Sequence, residues 1–395
     1  MIFHPDSHLN KHGYFSVGDQ NLYSKLDAIK LSVATGDPVK WHYNDEVFSK
    51  QDWTVEPEKD IRTMYQERAQ AIRDKFDYVI VMFSGGADST TVLDSFIDNG
   101  IPVDEIYMQH WIKYQPEKEQ SFMNAEIHQS ALPYLKRKLP SAWKTTVRMH
   151  DVSDKMLDLL RDPDFRERSY REVNNIHNLS TISWHYDLQN RFSKYSKFRE
   201  QGKSIVFVWG EAKPKIYYDL EKNKHYFIFQ DHYAHCPQPR DQELNDPFCQ
   251  HEQFFDDPLH PEIKVKQCHL ILNTLKQIAH RTDLFYPQTV SAEQRIIYSS
   301  SSETYHNGQK YDLDRNAFNC AIYPDWNFLT YHQDKRLGRL VHPAHAWVEQ
   351  VEPDAAKKWF AGYINTYGQL PDEWVKYYGS LKSGTRRLEI PYYLE

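Results

Sequence analysis

Residues Tyr78–Thr90 read Y-V-I-V-M-F-S-G-G-A-D-S-T. The unbroken apolar run Tyr78–Phe83 has the length and composition of a strand buried on both faces. It stops at Ser84-Gly85-Gly86, and Asp88-Ser89-Thr90 open a helical stretch to Asn99. Val92, Leu93, Phe96 and Ile97 share one face of that stretch, and Gly100 stands at its end. A buried strand that feeds a glycine turn and a helix N-terminus presents backbone N–H groups to an anion.

The chain on either side extends the pattern. Upstream, Pro57 with Glu56, Glu58 and Asp60 predicts a helix start. Ile61, Met64, Tyr65, Arg68, Ala69 and Ile72 then recur at helical spacing until Asp74–Asp77. Downstream, Ile101–Trp111, Lys144–His150 and Ser204–Trp209 read as strands, separated by helical stretches over Glu117–Leu139 and Ser153–Gly202. Alternating strands and helices predict the α/β class, an open, mainly parallel twisted sheet with helices on both faces, over residues 56–224. Residues 1–55, with turn signals at Gly13, Gly18 and Gly36-Asp37-Pro38, read as an N-terminal extension packed on that sheet. Residues 225–395 read as a mixed α+β region. In it His225–Gln230 is an added strand, His232–Asp257 a long loop and Pro261–His280 a helix. Ser299–Ser302 and Asn307-Gly308 mark loops, and Trp359–Tyr363 and Trp374–Tyr378 fall in short helical pieces.

Composition narrows the class. A chain of 395 residues, 40% hydrophobic and 26% charged, can bury a large core. Aromatic residues reach 14%, which suits aromatic-rich cores better than base stacking along the whole surface. A formal net charge of −7 argues against a protein that coats nucleic acid. The four cysteines, Cys236, Cys249, Cys268 and Cys320, form no C-x-x-C pair, so a reducing compartment is expected and no disulfide framework. No basic-then-apolar leader opens the sequence and no long apolar span crosses a membrane, so the expected location is cytoplasmic.

Each residue of the turn has a physical reason. Gly85 and Gly86 let the backbone approach a ligand without an intervening Cβ. The hydroxyls of Ser84, Ser89 and Thr90, with the first-turn amides, can donate to phosphate oxygens. Asp88 repels phosphate, which leaves it two roles: capping the helix, or holding a Mg²⁺ that bridges phosphate oxygens. A second stretch, Val208-Trp209-Gly210-Glu211-Ala212-Lys213-Pro214-Lys215, follows another buried strand. Ligands of open α/β sheets gather at the carboxyl ends of strands, so Gly210 and Lys213 are candidates to face Ser84–Thr90. The bland alternative is a solvated lysine pair in a loop.

The string S-G-G-A-D-S-T directly after a hydrophobic strand resembles the signature of the PP-loop ATP pyrophosphatases of the adenine nucleotide alpha-hydrolase-like superfamily. That superfamily includes asparagine, GMP and NAD synthetases, tRNA thiolation and lysidine enzymes, the 7-cyano-7-deazaguanine synthase and the sulfonucleotide (PAPS) reductases. The resemblance covers roughly residues 56–220. It implies ATP and Mg²⁺ as cofactors, with pyrophosphate cradled by Ser84, Gly85, Gly86, Ser89 and Thr90 and with Asp88 as metal ligand. It further implies transfer of AMP to a substrate oxygen, release of pyrophosphate and displacement of AMP by a nucleophile. Lys213 stands where the reductase branch carries an arginine after Gly-x, and with Asp88 it is the candidate catalytic residue. A lysine offers a point charge without the bidentate fork, so this part of the match is imperfect.

Other motifs fail or stay bland. Gly202-Lys203-Ser204 ends like a Walker A loop, but Lys197 occupies the place of its first glycine, and no G-x-G-x-x-G occurs. Arg191, Lys194, Lys197 and Lys203 interleave with Phe192, Tyr195 and Phe198, which fits an amphipathic helix on the sheet better than a polynucleotide groove. His232, His235, Cys236, Cys249 and His251 match no structural zinc spacing, and neither does His342-Pro343-Ala344-His345.

Absences then trim the family's branches. Ile2 stands where a fused glutaminase would place cysteine, no cysteine pair serves thiolation, and the cysteines do not cluster as a zinc site. The last cysteine lies in Asn-Cys-Ala, not in the Glu-Cys-Gly of the reductases. What remains is an adenylating ligase or transferase acting on an unidentified acceptor, which is a small molecule, a nucleotide or an RNA or DNA base. The alternatives are a sulfonucleotide reductase-like enzyme needing Cys320 or Cys268 near the nucleotide, and a catalytically inactive nucleotide-binding protein. Homo-oligomerisation stays open.

Overall fold

The computed structural model describes residues 13–22, 25–110, 126–164, 193–210, 214–219, 222–229, 249–278, 296–299, 304–306, 309–311, 322–323 and 390–395, with short stretches between 352 and 365. Among them the chain is of the α/β class: an all-parallel five-stranded sheet with its helices, joined by smaller antiparallel sheets.

The N-terminal part is a three-stranded antiparallel sheet of β1 (Tyr14–Val17), β2 (Gln20–Leu22) and β3 (Val39–His42), in the order β2-β1-β3. α1 (Lys25–Thr35) connects β2 to β3, and the short α2 (Asp45–Phe48) follows. Phe15, Val17, Trp41, Tyr43, Phe48 and Trp53 are buried in one core with residues of the main sheet. α3 (Ile61–Lys75) begins later than Pro57 suggests. The carboxylate of Asp60 accepts from the amides of Arg62 at 2.9 Å and Thr63 at 3.4 Å, and this N-cap starts the helix where a proline alone does not. Met64, Tyr65, Ala69 and Ile72 form its buried face.

β4 (Tyr78–Met82) is buried at every residue, and α4 (Ala87–Ile97) follows the glycine turn. β5 (Glu105–His110) precedes a π-helical turn, Glu126–Ala131, that runs into α5 (Leu132–Lys138). Then come β6 (Thr146–Asp151), α6 (Ser153–Arg161), α7 (Ser193–Glu200) and β7 (Ile205–Trp209). α7 docks as an amphipathic helix. Tyr195 is buried, and its hydroxyl reaches Glu105 at 2.7 Å. Glu105, itself fully buried, also accepts from Tyr78 Oη at 2.9 Å and Arg148 Nε at 2.5 Å, which closes the amino-terminal end of the sheet.

β8 (Lys215–Asp219) and β9 (Lys224–Phe227) form a hairpin through a turn containing Asn223 at φ 55°. The added strand expected over His225–Gln230 is present at Lys224–Phe227. The tight turn pairs it with its neighbour in a separate antiparallel sheet. A correction concerns His232–Asp257. Cys249–Gln253 is not loop but β10, the fifth strand of the parallel sheet, paired with β7 from Cys249↔Ile205 to Gln253↔Trp209. Its C-Q-H-E-Q sequence hides it, because its buried positions carry His251, Glu252 and Gln253 instead of apolar residues. His251 stacks on Phe207 and receives Trp209 Nε1–H at 3.0 Å, and Glu252 pairs with Arg68 at 3.1 Å and Lys75 at 3.0 Å.

α8 (Pro261–Ile278) matches the predicted helix closely. β11 (Ile296–Ser299) joins β8, β12 (Thr304–His306) pairs with β13 (Gln309–Tyr311), and β14 (Tyr392–Tyr393) joins β9, giving the second sheet the order β11-β8-β9-β14. A boundary is expected at 224/225. β10 lies beyond it yet completes the parallel sheet, and Phe254, Phe255, Ile263 and Tyr323 share the core of β4 and α4. The readings of Glu117–Leu139 before residue 126, of Ser153–Gly202 between 165 and 192, of Trp374–Tyr378 and of most of Trp359–Tyr363 lie outside the described residues.

Candidate functional site

The parallel sheet runs β10-β7-β4-β5-β6. The chain enters at the central strand β4, moves outward through β5 and β6, then returns to the other side of β4 for β7 and β10. The direction of winding therefore reverses between β4 and β7. In an open parallel sheet the crevice outside the carboxyl ends of two such strands is where ligands bind. The Ser84–Thr90 turn leaves β4 at that place, and Gly210 leaves β7 beside it.

Phe83 still donates its amide to Tyr107 O at 2.9 Å, so the chain departs from the sheet at Ser84. Gly85 has φ +80°, and a Cβ built there would lie 2.6 Å from Ala131 N and 2.8 Å from Ala131 Cβ. The π-helical turn can close on the loop only because position 85 has no side chain. Ser130 Oγ then donates to Gly85 O at 2.7 Å and ties the two segments together. Gly86, at φ −76° and ψ 167°, is the N-cap of α4, and no side chain caps the helix. Thr90 N–H to Gly86 O at 2.9 Å is the first bond of α4, so the first-turn amides point back toward the loop along the helix axis.

The hydroxyls divide into two groups. Ser89 is buried: its Oγ lies 3.2 Å from Ser84 Oγ, accepts the Ser84 amide at 3.2 Å and donates to Gly86 O at 3.3 Å. It pins the turn by bonding to both of its arms. Ser84 is exposed, with Oγ accepting the Gly86 amide at 3.2 Å, and Thr90 is half-buried. These two keep hydroxyls at the surface of the turn.

Asp88 does not cap the helix. Its half-buried carboxylate instead accepts a hydrogen bond from the hydroxyl of Tyr323, a fully buried residue 235 positions away in sequence. Burial, and then the Asp88 charge, push the Tyr323 phenol far above its ordinary range, so it is a permanent donor. Tyr65, likewise raised by burial, donates to Ile322 O at 2.8 Å and accepts from Gln267 Nε2 at 2.8 Å. Arg68 meets Asp257 at 2.8 Å and Lys264 meets Asp256 at 2.6 Å, both pairs buried. No sequence signal ties Tyr323 to Asp88, since nothing local relates them.

Gly210 completes the contact between the two motifs. A Cβ there would sit 2.8 Å from both Asp88 O and Val92 Cγ2, so the segment after β7 rests on the first turn of α4. Lys213 lies outside the described residues, as do His232, His235, Cys236, Cys320, His342 and His345. Of the other metal-capable residues, His251 is packed between Phe207 and Trp209. Among the described residues no group of three His, Cys, Asp or Glu side chains could hold a metal ion by itself. Cys268 is buried in α8, and burial raises its thiol well above the ordinary value, so it is unsuited to act as a thiolate nucleophile. No helix of the described residues is long and apolar enough to cross a membrane. No protein-family model matches the chain, and no curated protein matches it either.

Proposed function

We propose that this protein is an ATP-dependent adenylating enzyme of the PP-loop type, whose Ser84–Thr90 turn holds the phosphate end of ATP. One observation carries the reading: the S-G-G-A-D-S-T turn sits at the reversal point of a five-stranded parallel sheet, with Gly210 packed against its first helical residues. The strand order also favours helices on both faces of the sheet, because right-handed crossovers that run in opposite directions place their helices on opposite sides.

In this reading the uncapped first turn of α4 supplies amide donors and a positive helix end for the phosphate oxygens, with Ser84 and Thr90 hydroxyls at its edge. Gly86 lets the phosphates approach the backbone. Mg²⁺ takes one or two carboxylates and completes its shell from phosphates and water, so the single half-buried carboxylate of Asp88 would suit it beside a nucleotide. When bound, Mg²⁺ would supply positive charge that offsets the negative charge of the phosphates. Asp88 offers the carboxylate that such an ion needs.

The reaction is a substitution at the α-phosphorus. A substrate oxygen forms a new O–P bond there as the α–β bridging P–O bond breaks, and pyrophosphate leaves with the bonding pair. A nucleophile then attacks the activated carbon of the acceptor, and AMP departs on the transferred oxygen. Lys213, four residues past the end of β7, is the chain's candidate cation for charge on the departing group. The acceptor is a small molecule, a nucleotide or a nucleic-acid base that bears a carboxylate or carbonyl oxygen.

The test is product analysis. Purified protein with ATP, Mg²⁺ and panels of such acceptors, with ammonia or an amine as nucleophile, is expected to release AMP and pyrophosphate in equal amounts. ADP and phosphate as the products would refute the reading. Binding of ATP should be measurable without any acceptor, and Gly86→Val should abolish it while the circular dichroism spectrum stays native.

A further inference from the structure

Asp88 is held from the far end of the chain. Its carboxylate receives the Tyr323 hydroxyl, and Tyr323 is immobile: fully buried, with its ring 5.6 Å from that of Phe255. The carbonyl of the preceding residue, Ile322, is fixed by Tyr65 Oη at 2.8 Å, and Tyr65 is fixed in turn by Gln267 Nε2 at 2.8 Å. α3 and α8 therefore brace the segment whose tyrosine donates to this first-turn carboxylate. A carboxylate that served only as a favourable charge at a helix N-terminus would need no such support, since that interaction tolerates loose geometry. A carboxylate that must meet a small cation does need it, because Mg²⁺ demands near-ideal octahedral geometry and tolerates little misplacement.

We propose that Tyr323 is the positioning residue for Asp88, fixing its carboxylate to receive the Mg²⁺ that accompanies the nucleotide. This rests on the reading of the Ser84–Thr90 turn as an ATP site. Tyr323 acts through Asp88 and is not itself a ligand. Its hydroxyl is a neutral donor that orients one carboxylate oxygen without cancelling the negative charge the cation requires. The consequence is specific: Tyr323 governs the gain in nucleotide affinity on adding Mg²⁺, and not the affinity for metal-free nucleotide.

Calorimetry of ATP binding with excess Mg²⁺, and again with EDTA, separates these quantities. Tyr323→Phe keeps the buried ring and removes the hydroxyl. It is expected to reduce the Mg²⁺-dependent gain by about tenfold, the scale of one lost charge-assisted hydrogen bond, and to leave the EDTA affinity unchanged. Tyr195→Phe, which removes a buried hydroxyl bonded to Glu105 at the other end of the sheet, serves as the structural control and should lower the melting temperature without changing the gain. Asp88→Glu tests the same idea from the other side, since it retains the charge but displaces the carboxylate by a methylene, and it should lose most of the gain. An unchanged gain in Tyr323→Phe overturns the proposal; should that variant not fold, an unchanged gain in Asp88→Glu does so. Equal losses with Mg²⁺ and with EDTA would also overturn it, by showing a general defect of the loop. Wild-type protein that binds no ATP under either condition would instead refute the ATP reading itself.

Discussion

Adjacent glycines in the turn have opposite reasons to be glycine, and a pair of alanine substitutions separates them. Gly85 lies at φ +80°, where an L-residue costs about 1–2 kcal/mol. Its added Cβ would also fall 2.6 Å from Ala131 N, 2.8 Å from Ala131 Cβ and 2.9 Å from Ala131 Cα. Two of those three atoms are backbone and cannot swing aside, so overpacking adds about 1–3 kcal/mol. Gly85→Ala is therefore expected to destabilise the protein by about 2–5 kcal/mol. Gly86 is at φ −76° and ψ 167°, which any residue adopts. Alanine there is a poorer N-cap but reduces the freedom of the unfolded chain, and the two effects cancel to within about 1 kcal/mol. Urea unfolding followed by circular dichroism reads both at constant slope, and calorimetry reads ATP affinity. The expected pattern is a large fall in midpoint for Gly85→Ala, and for Gly86→Ala a near-native midpoint with weakened ATP binding. A Gly85→Ala midpoint within error of wild type would refute the close approach of the π-helical turn on which the loop geometry depends.

Three further outcomes follow from the same structure. Lys264→Met leaves Asp256 charged in a site where both side chains are fully buried, so it should cost about 3–5 kcal/mol in chemical denaturation, while Asp256→Leu with Lys264→Met should recover most of that loss. Partial burial opposes ionisation of Glu395, but hydrogen bonds from Lys276 and His225 outweigh it and hold the carboxyl at about 2, below its ordinary 4.5. A depressed carboxylate stabilises above its unfolded value, so the difference in stability between wild type and Glu395→Gln should be fully present above about pH 5 and vanish as pH falls toward 2; a difference independent of pH would contradict the pairing. Cys268 should resist iodoacetamide in the native protein and react only on unfolding, and rapid native alkylation of that residue, located by mass spectrometry, would contradict its burial.

The sheet's inner strands were legible because they are buried on both faces and read as apolar runs: Tyr78–Phe83, Ile101–Trp111 and Ser204–Trp209 all contain strands of the parallel sheet. β10 was not, because its buried residues are His251, Glu252 and Gln253, of which His251 meets Trp209 and Glu252 meets Arg68, and hydrophobic patterning cannot register such a strand. The turn's glycines and hydroxyls were visible from composition and order alone. Which hydroxyl pins the loop was not, since Ser84 and Ser89 differ only in burial. Tyr323 lay beyond any local pattern: its partner is set by the fold and not by spacing. The helix starting at Ile61 shows the same lesson in small, where a side-chain acceptor on Asp60 overrides the cue of Pro57.

The fifth strand has a consequence for how the chain acquires its shape. β7 ends at Trp209, but its outer neighbour begins only at Cys249, so between those points in synthesis β7 is the unpaired margin of a nascent sheet. Its sequence, I-V-F-V-W, is the kind of segment that recruits a strand from another chain when left open. A fragment ending near residue 224 would carry that margin permanently and should aggregate, whereas one extending past α8 should not. Parallel pairing across such a separation is also slow to form. The polar side chains of β10 then serve a second purpose: the strand that finally seals the margin is itself too hydrophilic to nucleate association while it waits.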